Sequence, residues 1–346
     1  MNDINELYQE LSDNRQNFNS IIPDLFNRTS ALHRDGIQNL FMKILSNLVV
    51  SIPEFKLMVD LGADPSDSNF YAFDMVAMTN KMELAKYIID NYDINLQDHQ
   101  AYLTDCVGGM KYEIFQLVYP DAESITDRII KNCLHDLEKV KLLVSYGIDV
   151  ERIINICEST WDYIPGNCIA IGKYLIEILV QTSPQIIPHD KNLCFVLNNC
   201  LASGVLEKKL IEQLDSLGFD FKQNELLENV CKHHNNLEII VYFINEGYYN
   251  DNNGSALTTA IKSSCKDIVK LLLDHNIIIT DEAIQEAVIQ RNETDFLILL
   301  HQHGVTLDRI TDCFKNFLHN HCYTFLPVLK FLAENDVDLN RLVLDR

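Results

Sequence analysis

Asn253-Gly254-Ser255-Ala256-Leu257-Thr258-Thr259-Ala260-Ile261-Lys262-Ser263-Ser264-Cys265-Lys266-Asp267-Ile268-Val269-Lys270-Leu271-Leu272-Leu273-Asp274-His275-Asn276-Ile277-Ile278 is the stretch from which the rest of the chain can be read. Ile268, Leu271 and Leu272 stand three and four residues apart, the spacing of an apolar stripe along one side of an α-helix. After glycine, asparagine is the residue best suited to the left-handed turn that ends a helix, and Asn276 follows the stripe. Ala260-Ile261 closes a shorter helix upstream. A helix pair this short cannot bury its apolar face alone, so it needs copies of itself alongside.

Copies are present. A second helix followed by a turn residue recurs at Phe55–Val59 with Gly62, Val140–Val144 with Gly147, and Ile211–Leu217 with Gly218. It recurs again at Ile239–Ile244 with Gly247 and Phe296–Leu300 with Gly304, and Val328–Leu332 precedes Asn335. From Gly218 the turns fall 29, 29, 28 and 31 residues apart, at Gly247, Asn276, Gly304 and Asn335. Gly62 and Gly147 are 85 residues apart, three units of about 28. Weaker copies fill that gap, Glu83–Ile89 before Asn91 and Glu113–Val118 before Tyr119-Pro120. Gly147 and Gly218 are 71 apart, which predicts two longer, irregular units at 152–221, with Tyr174–Val180 as the intervening second helix. The expectation is ten helix–turn–helix units from Gly36 to Arg341, almost no strand, and an elongated, curved array.

The opening stretch also carries a resemblance. Gly254-Ser255-Ala256-Leu257 stands where ankyrin repeats have Gly-x-Thr-Pro-Leu-His, with Thr258 in the histidine place. Asp267–Leu273 is similar to the family's second helix, and Asn276 takes its terminal glycine position. Over residues 36–346 the chain thus resembles the ankyrin-repeat family. It departs from it in unit length, about 28–31 residues against the usual ~33, and in the eroded Thr-Pro-Leu-His word. The missing residues fall between one unit's second helix and the next unit's first, so the family's hairpin fingers should shrink to short turns. Short units, abundant Asn and Ile, and eroded signatures are similar to the paralogous ankyrin-repeat proteins of giant amoeba-infecting viruses. The resemblance implies an all-α, ankyrin-like solenoid that binds a protein partner on its concave and loop surface without being an enzyme.

Residues 1–35 lie outside the repeat. Ile4, Leu7, Tyr8 and Leu11 share a helical face, and Ile21, Ile22, Leu25 and Phe26 continue the apolar content. A helical cap over the first exposed core face is the expected role. The alternative is an adaptor, in which this segment recruits other machinery, such as a ubiquitin ligase, to a target held by the repeats. Pro23-Asp24-Leu25 with Ile44-Leu45-Ser46-Asn47-Leu48 faintly resembles an F-box, but the two words are too far apart for that motif.

Acidic residues outnumber basic ones 50 to 28, a net charge of −22, and Lys208-Lys209 is the sole adjacent basic pair. Such a field repels phosphate backbones and anionic lipid, and it predicts a protein partner with a basic surface and no nucleic-acid partner. Met1–Glu6 has no signal-peptide character, no run reaches the ~18 apolar residues of a spanning helix, and the ten cysteines fit a reducing compartment. The expected protein is a cytoplasmic monomer without membrane contact, in the host cytoplasm if viral. No glycine-rich phosphate loop, nucleophile elbow, His-Glu-x-x-His or Cys-x-x-Cys occurs, so no catalytic residue or cofactor is expected. The nearest approach to a metal cluster, Cys313, His319, His321 and Cys322, spans a helix and a loop and reads better as packed cysteines and surface histidines.

The candidate partner-binding residues are aromatics at unit starts and turns. Phe70, Tyr71 and Phe73 open the second unit and Tyr102 lies in the third. Trp161 and Tyr163 sit in the long segment 157–166, where insertions commonly form a binding loop, and Tyr248 and Tyr249 fall at the turn where the family projects its finger.

Overall fold

The computed structural model describes residues 2–32, 35–160, 168–187, 191–222, 226–248, 254–289, 294–318 and 326–342. They form 22 α-helices with short 3-10 turns, and no strand occurs among the described residues. The chain divides into two compact units, Met1–Ile156 and Cys157–Arg346.

In the first unit the helices are α1 (Asn2–Asp13), α2 (Phe18–Leu32), α3 (Gly36–Asn47), α4 (Ile52–Asp60), α5 (Asp67–Met78) and α6 (Met82–Asn91). They continue with α7 (Leu96–Leu103), prolonged by a 3-10 run Thr104–Gly109, then α8 (Tyr112–Val118), α9 (Asp127–Cys133) and α10 (Leu137–Ser145). The division between the units falls inside α11 (Val150–Thr160). Packing alternates. α1, α3, α5 and α7 each meet the next in that series, and the 3-10 run meets α9. α2, α4, α6, α8 and α10 form the second series. Helix pairs with period-3.6 apolar stripes do this because each stripe is covered only when the equivalent helix of the neighbouring pair lies against it. Phe41, Phe55, Phe73, Phe115 and Tyr119 are fully buried between the layers.

Residues 2–32 enter this packing as a pair like the others: α1 meets α3 and α2 meets both α3 and α4. Leu7, Leu11, Phe18, Ile22, Leu25 and Phe26 are buried, as are Ile44 and Leu45 of α3. A Cβ on Gly36 would lie 2.4 Å from the Thr29 carbonyl oxygen, so α3 can approach α2 only with glycine there. Arg15 donates to both Glu54 carboxylate oxygens at 2.5 and 2.9 Å. The same carboxylate closes the capping box that starts α4, accepting from Ser51 N at 2.8 Å. Burial pushes the Glu54 carboxyl up, but the bonds from Arg15 and Ser51 outweigh it and hold the group at about 2.

The second unit continues with α12 (Ile169–Thr182), α13 (Lys191–Ala202), α14 (Lys208–Ser216), α15 (Leu227–Val230), α16 (Leu237–Asn245) and α17 (Ser255–Lys262). It ends with α18 (Lys266–Asp274), α19 (Asp281–Ile289), α20 (Asp295–Gln302), α21 (Leu307–Leu318) and α22 (Leu326–Glu334). α13, α15, α17, α19 and α21 form one packed series, with α12 on α14, α14 on α16 and α18 on α20 as the other. Among the described residues α3 through α22 are twenty helices, the number that ten pairs would need.

Turn geometry explains the sequence spacing. Gly62, Gly147, Gly218, Gly247 and Gly304 have φ between 71° and 103°, and Asn276 has φ 58°. Each donates to the carbonyl three residues back while the next residue donates five back, as in Gly247 N to Ile244 O and Tyr248 N to Phe243 O. The residue after the turn is apolar and buried in most of them: Ala63, Ile148, Phe219, Ile277 and Val305. The last turn is displaced by one residue from the expected Asn335, since Asp336 has φ 61° and makes the equivalent bond to Ala333 O. α6 and α8 end without a left-handed residue, at Tyr92 (φ −127°) and Tyr119 (φ −120°). A second set of left-handed turns, at Asn80, Gly204 and Ser264, joins first helix to second within a pair.

Neighbouring pairs are also tied by buried or half-buried polar side chains. Lys81, at the start of α6, donates to Leu45 O at the end of α3. Lys139 of α10, 1% exposed, donates to Val107 O at 2.8 Å and to Gly108 O at 3.3 Å. In the second unit Asn236 donates to Leu201 O and Val230 O, both at 2.7 Å, and the Cys265 thiol faces Lys232 O. In these four cases a side chain at the start of a second helix adds a donor to carbonyls near the end of the preceding pair's first helix, two of which, Val107 O and Leu201 O, also accept from a backbone N–H.

Candidate interaction surface

The first helices expose the chemistry. On α5 and α7 the sequence Asp-x-x-x-Tyr-x-x-Asp occurs twice, as Asp67, Tyr71, Asp74 and as Asp98, Tyr102, Asp105, with 31 residues between equivalents. Spacings of four and three place each set on one stripe of its helix. Packing of α5 on α7 sets the stripes side by side, and the Tyr71 and Tyr102 rings meet edge to face at 5.9 Å with their hydroxyls 3.5 Å apart. Tyr71 is 36% exposed and Tyr102 52%. Beneath them, Asp74 and His99 are buried, with Asp74 Oδ1 2.8 Å from His99 Nδ1. The other side of α7 lines an open cleft of about 550 Å³ with Gln97, Gln100 and Ala101, faced by Asp121, Glu123 and Thr126.

The second unit presents a different first-helix surface. Ser255, Thr258, Thr259 and Lys262 of α17 line a cleft of about 540 Å³ with Glu228, Thr280 and Glu282. Thr259 donates to Glu228 at 3.3 Å.

Of the aromatics singled out from the sequence, Tyr71 and Tyr102 are thus brought together at the surface. Phe73 is not available to a partner: it is fully buried, because its position on α5 falls on the side facing the core, edge-on to His99 at 5.3 Å. Tyr248 does not project as a finger. Its ring packs against Phe221, Tyr242 and Phe243, and its hydroxyl donates to Asp215 at 2.6 Å, which pins the turn onto α14. Trp161, Tyr163, Tyr249 and the Phe70 side chain lie outside the described residues. The doubled Asp-Tyr-Asp motif went unread in the sequence, although the 31-residue repeat was there to find it.

Other cysteines and histidines serve packing and helix ends. Cys231 and Ala260 are both buried in the first helices, and burial pushes the Cys133 and Cys157 thiols up to about 12, which keeps them protonated. His275 Nδ1 lies 2.9 Å from Leu271 O and His303 Nδ1 2.8 Å from Leu299 O, on the carbonyls that end α18 and α20. Cys313 is buried on α21, whereas His319, His321 and Cys322 lie outside the described residues. No group of three or more potential metal ligands occurs among the described residues, and none of their helices is long and apolar enough to cross a membrane. Comparison with known family profiles, with characterised proteins and with solved structures returns no match for the chain.

Proposed function

We propose that the chain is an ankyrin-like solenoid whose uncovered first-helix surface binds a protein partner. The observation that carries this reading is the exposed Tyr71–Tyr102 pair on two adjacent first helices. Rings that could have packed inward instead lie together on a surface built from successive pairs, and exposed aromatics of this kind are common anchors of protein interfaces. The alternating packing within each unit and the repeated left-handed turns support the solenoid. Burial of Leu25, Ile44 and Leu45 supports a cap over an adaptor, since the apolar residues an adaptor would offer are already packed. The role is binding rather than catalysis, in keeping with a sequence that carries no catalytic motif.

A photo-crosslinking amino acid placed at Tyr102, with a second variant carrying it at the exposed second-helix residue Val241, tests the reading in extract from the natural host. Protein adducts from position 102 that are absent from position 241 are expected. Equal labelling from both positions, or none, overturns it. Small-angle scattering is expected to show an elongated particle, and a compact sphere would exclude the solenoid.

A further inference from the structure

The first-helix surface of the first unit has a chemistry that selects its partner. Along α5, α7 with its 3-10 extension, and the turn 119–126, the sequence contains no Lys or Arg. The same segments expose Asp67, Asp98, Asp105, Asp121 and Glu123. Basic side chains from other helices are bonded to these segments: Arg128 of α9 pairs with Asp105, Arg152 of α11 donates to Ile125 O at 3.5 Å, and the buried Lys139 is spent on Val107 O and Gly108 O. The two tyrosine rings follow the exposed Asp67 and Asp98 by one turn, with Asp74 buried beneath them on His99, and the open cleft with its own two acids lies along the next side of α7.

Resting on the binding role proposed above, we infer that this surface takes an extended basic peptide segment, with one cationic side chain against the Tyr71–Tyr102 rings and others reaching the flanking acids. Three features fit that occupant. Aromatic rings at an acidic surface attract ammonium and guanidinium groups through the ring quadrupole as well as through charge. Packed helices lie roughly 8–10 Å apart, and alternate residues of an extended chain, about 6–7 Å apart on one side, can place successive cations over neighbouring stripes. The doubled motif places an exposed acid one turn before an exposed ring on both helices, Asp67 before Tyr71 and Asp98 before Tyr102, so alternating basic residues meet an acid and a ring twice. An acidic peptide or a nucleic acid would meet like charge throughout.

The probe is the blocked peptide (Arg-Ser)3, with (Glu-Ser)3 as its charge-reversed control, titrated against the full chain by calorimetry at low and moderate salt. Saturable binding of the basic peptide alone is expected. Tyr71→Ala with Tyr102→Ala should weaken it at least fivefold, Tyr71→Phe with Tyr102→Phe should retain it, and Asp121→Asn with Glu123→Gln should weaken it and flatten its salt dependence. Glu228→Gln with Glu282→Gln in the second unit removes the same charge elsewhere and should leave binding unchanged. Circular dichroism of each variant separates lost binding from lost folding. If the second-unit variant weakens binding as much as the first-unit ones, attraction is merely diffuse and the inference fails. If no basic peptide binds while Tyr102 still crosslinks a protein, the inference fails and the binding role stands.

Discussion

The two units follow one packing plan and differ in what they place at equivalent positions. In the first, lysines reach main-chain carbonyls near the ends of preceding first helices, Lys81 on Leu45 O and Lys139 on Val107 O. In the second, the neutral side chains of Asn236 and Cys265 reach the same class of carbonyl, while charged pairs such as Lys266 with Asp295 join neighbouring pairs at the surface. The first-helix surfaces diverge too: tyrosines among acids in one, serine and threonine hydroxyls with Lys262 and two glutamates in the other. The requirement at the tie is only a donor at the right place, because helix-terminal carbonyls must be satisfied whatever supplies the hydrogen. Backbone demands therefore hold the plan constant, while side chains on the outer side of the first helices are free to acquire different chemistry.

That contrast can be broken at its strongest tie first. Lys139→Met removes the lysine donor from the Val107 and Gly108 carbonyls, Val107 O keeping its bond from Met110 N, and is expected to cost about 3 kcal/mol, read from urea unfolding of the full chain. Stability equal to that of the unsubstituted chain would mean that the buried lysine is dispensable. Asn236→Ala should cost less, about 2 kcal/mol. It removes two donated bonds but also removes a buried side-chain oxygen that has no partner of its own. A larger loss at Asn236 than at Lys139 would reverse the contrast between charged and neutral ties.

Turn conformation comes next. At Gly247 an added Cβ would meet nothing within 4 Å, yet φ is 71°. Gly247→Val should therefore cost about 1–2 kcal/mol through backbone conformation alone. Gly108→Ala, at a glycine without positive φ, should be nearly neutral, and equal effects at the two sites would remove the left-handed turn from the explanation.

The pH dependence separates the units further. Glu54 has a folded value of about 2 against an ordinary 4.5, so its contribution is complete above about 4.5 and is lost as pH falls toward 2. Acid should loosen residues 2–32 from α4, seen as faster amide exchange in α1 and α2, and Arg15→Gln should abolish the pH dependence of that exchange. Exchange in α1 and α2 that ignores pH would rule out the Arg15–Glu54 bond as their tether. The smallest effect on stability is expected at the surface. Tyr71→Ala with Tyr102→Ala should change unfolding by less than about 1 kcal/mol, and a larger loss would make the pair a packing element rather than a binding one.

Much of this was legible before any coordinates. Helices were readable from the stripe Ile268, Leu271, Leu272 and its copies, and helix ends from glycine and asparagine, because both signals arise within one helix pair. The weaker copies near Asn91 and Tyr119 belong to helices that end without a left-handed residue, which is why their spacing signal was faint. Asn335 and Asp336 are adjacent turn-compatible residues, and nothing local distinguishes them.

What the sequence alone determined is the all-α class and the positions of most turns, since these depend on periodicity and on the backbone freedom of single residues. Only the tertiary structure decided which aromatics face outward. Phe73 and Tyr71 are two residues apart on α5, yet one is fully buried and the other exposed, because the direction of each side chain is set by where α3, α6 and α7 lie around that helix. Tyr248 likewise turned inward, its hydroxyl on Asp215, 33 residues earlier in the chain. Such pairings join residues from different helix pairs, and periodicity read along one helix cannot specify which neighbour will meet which face.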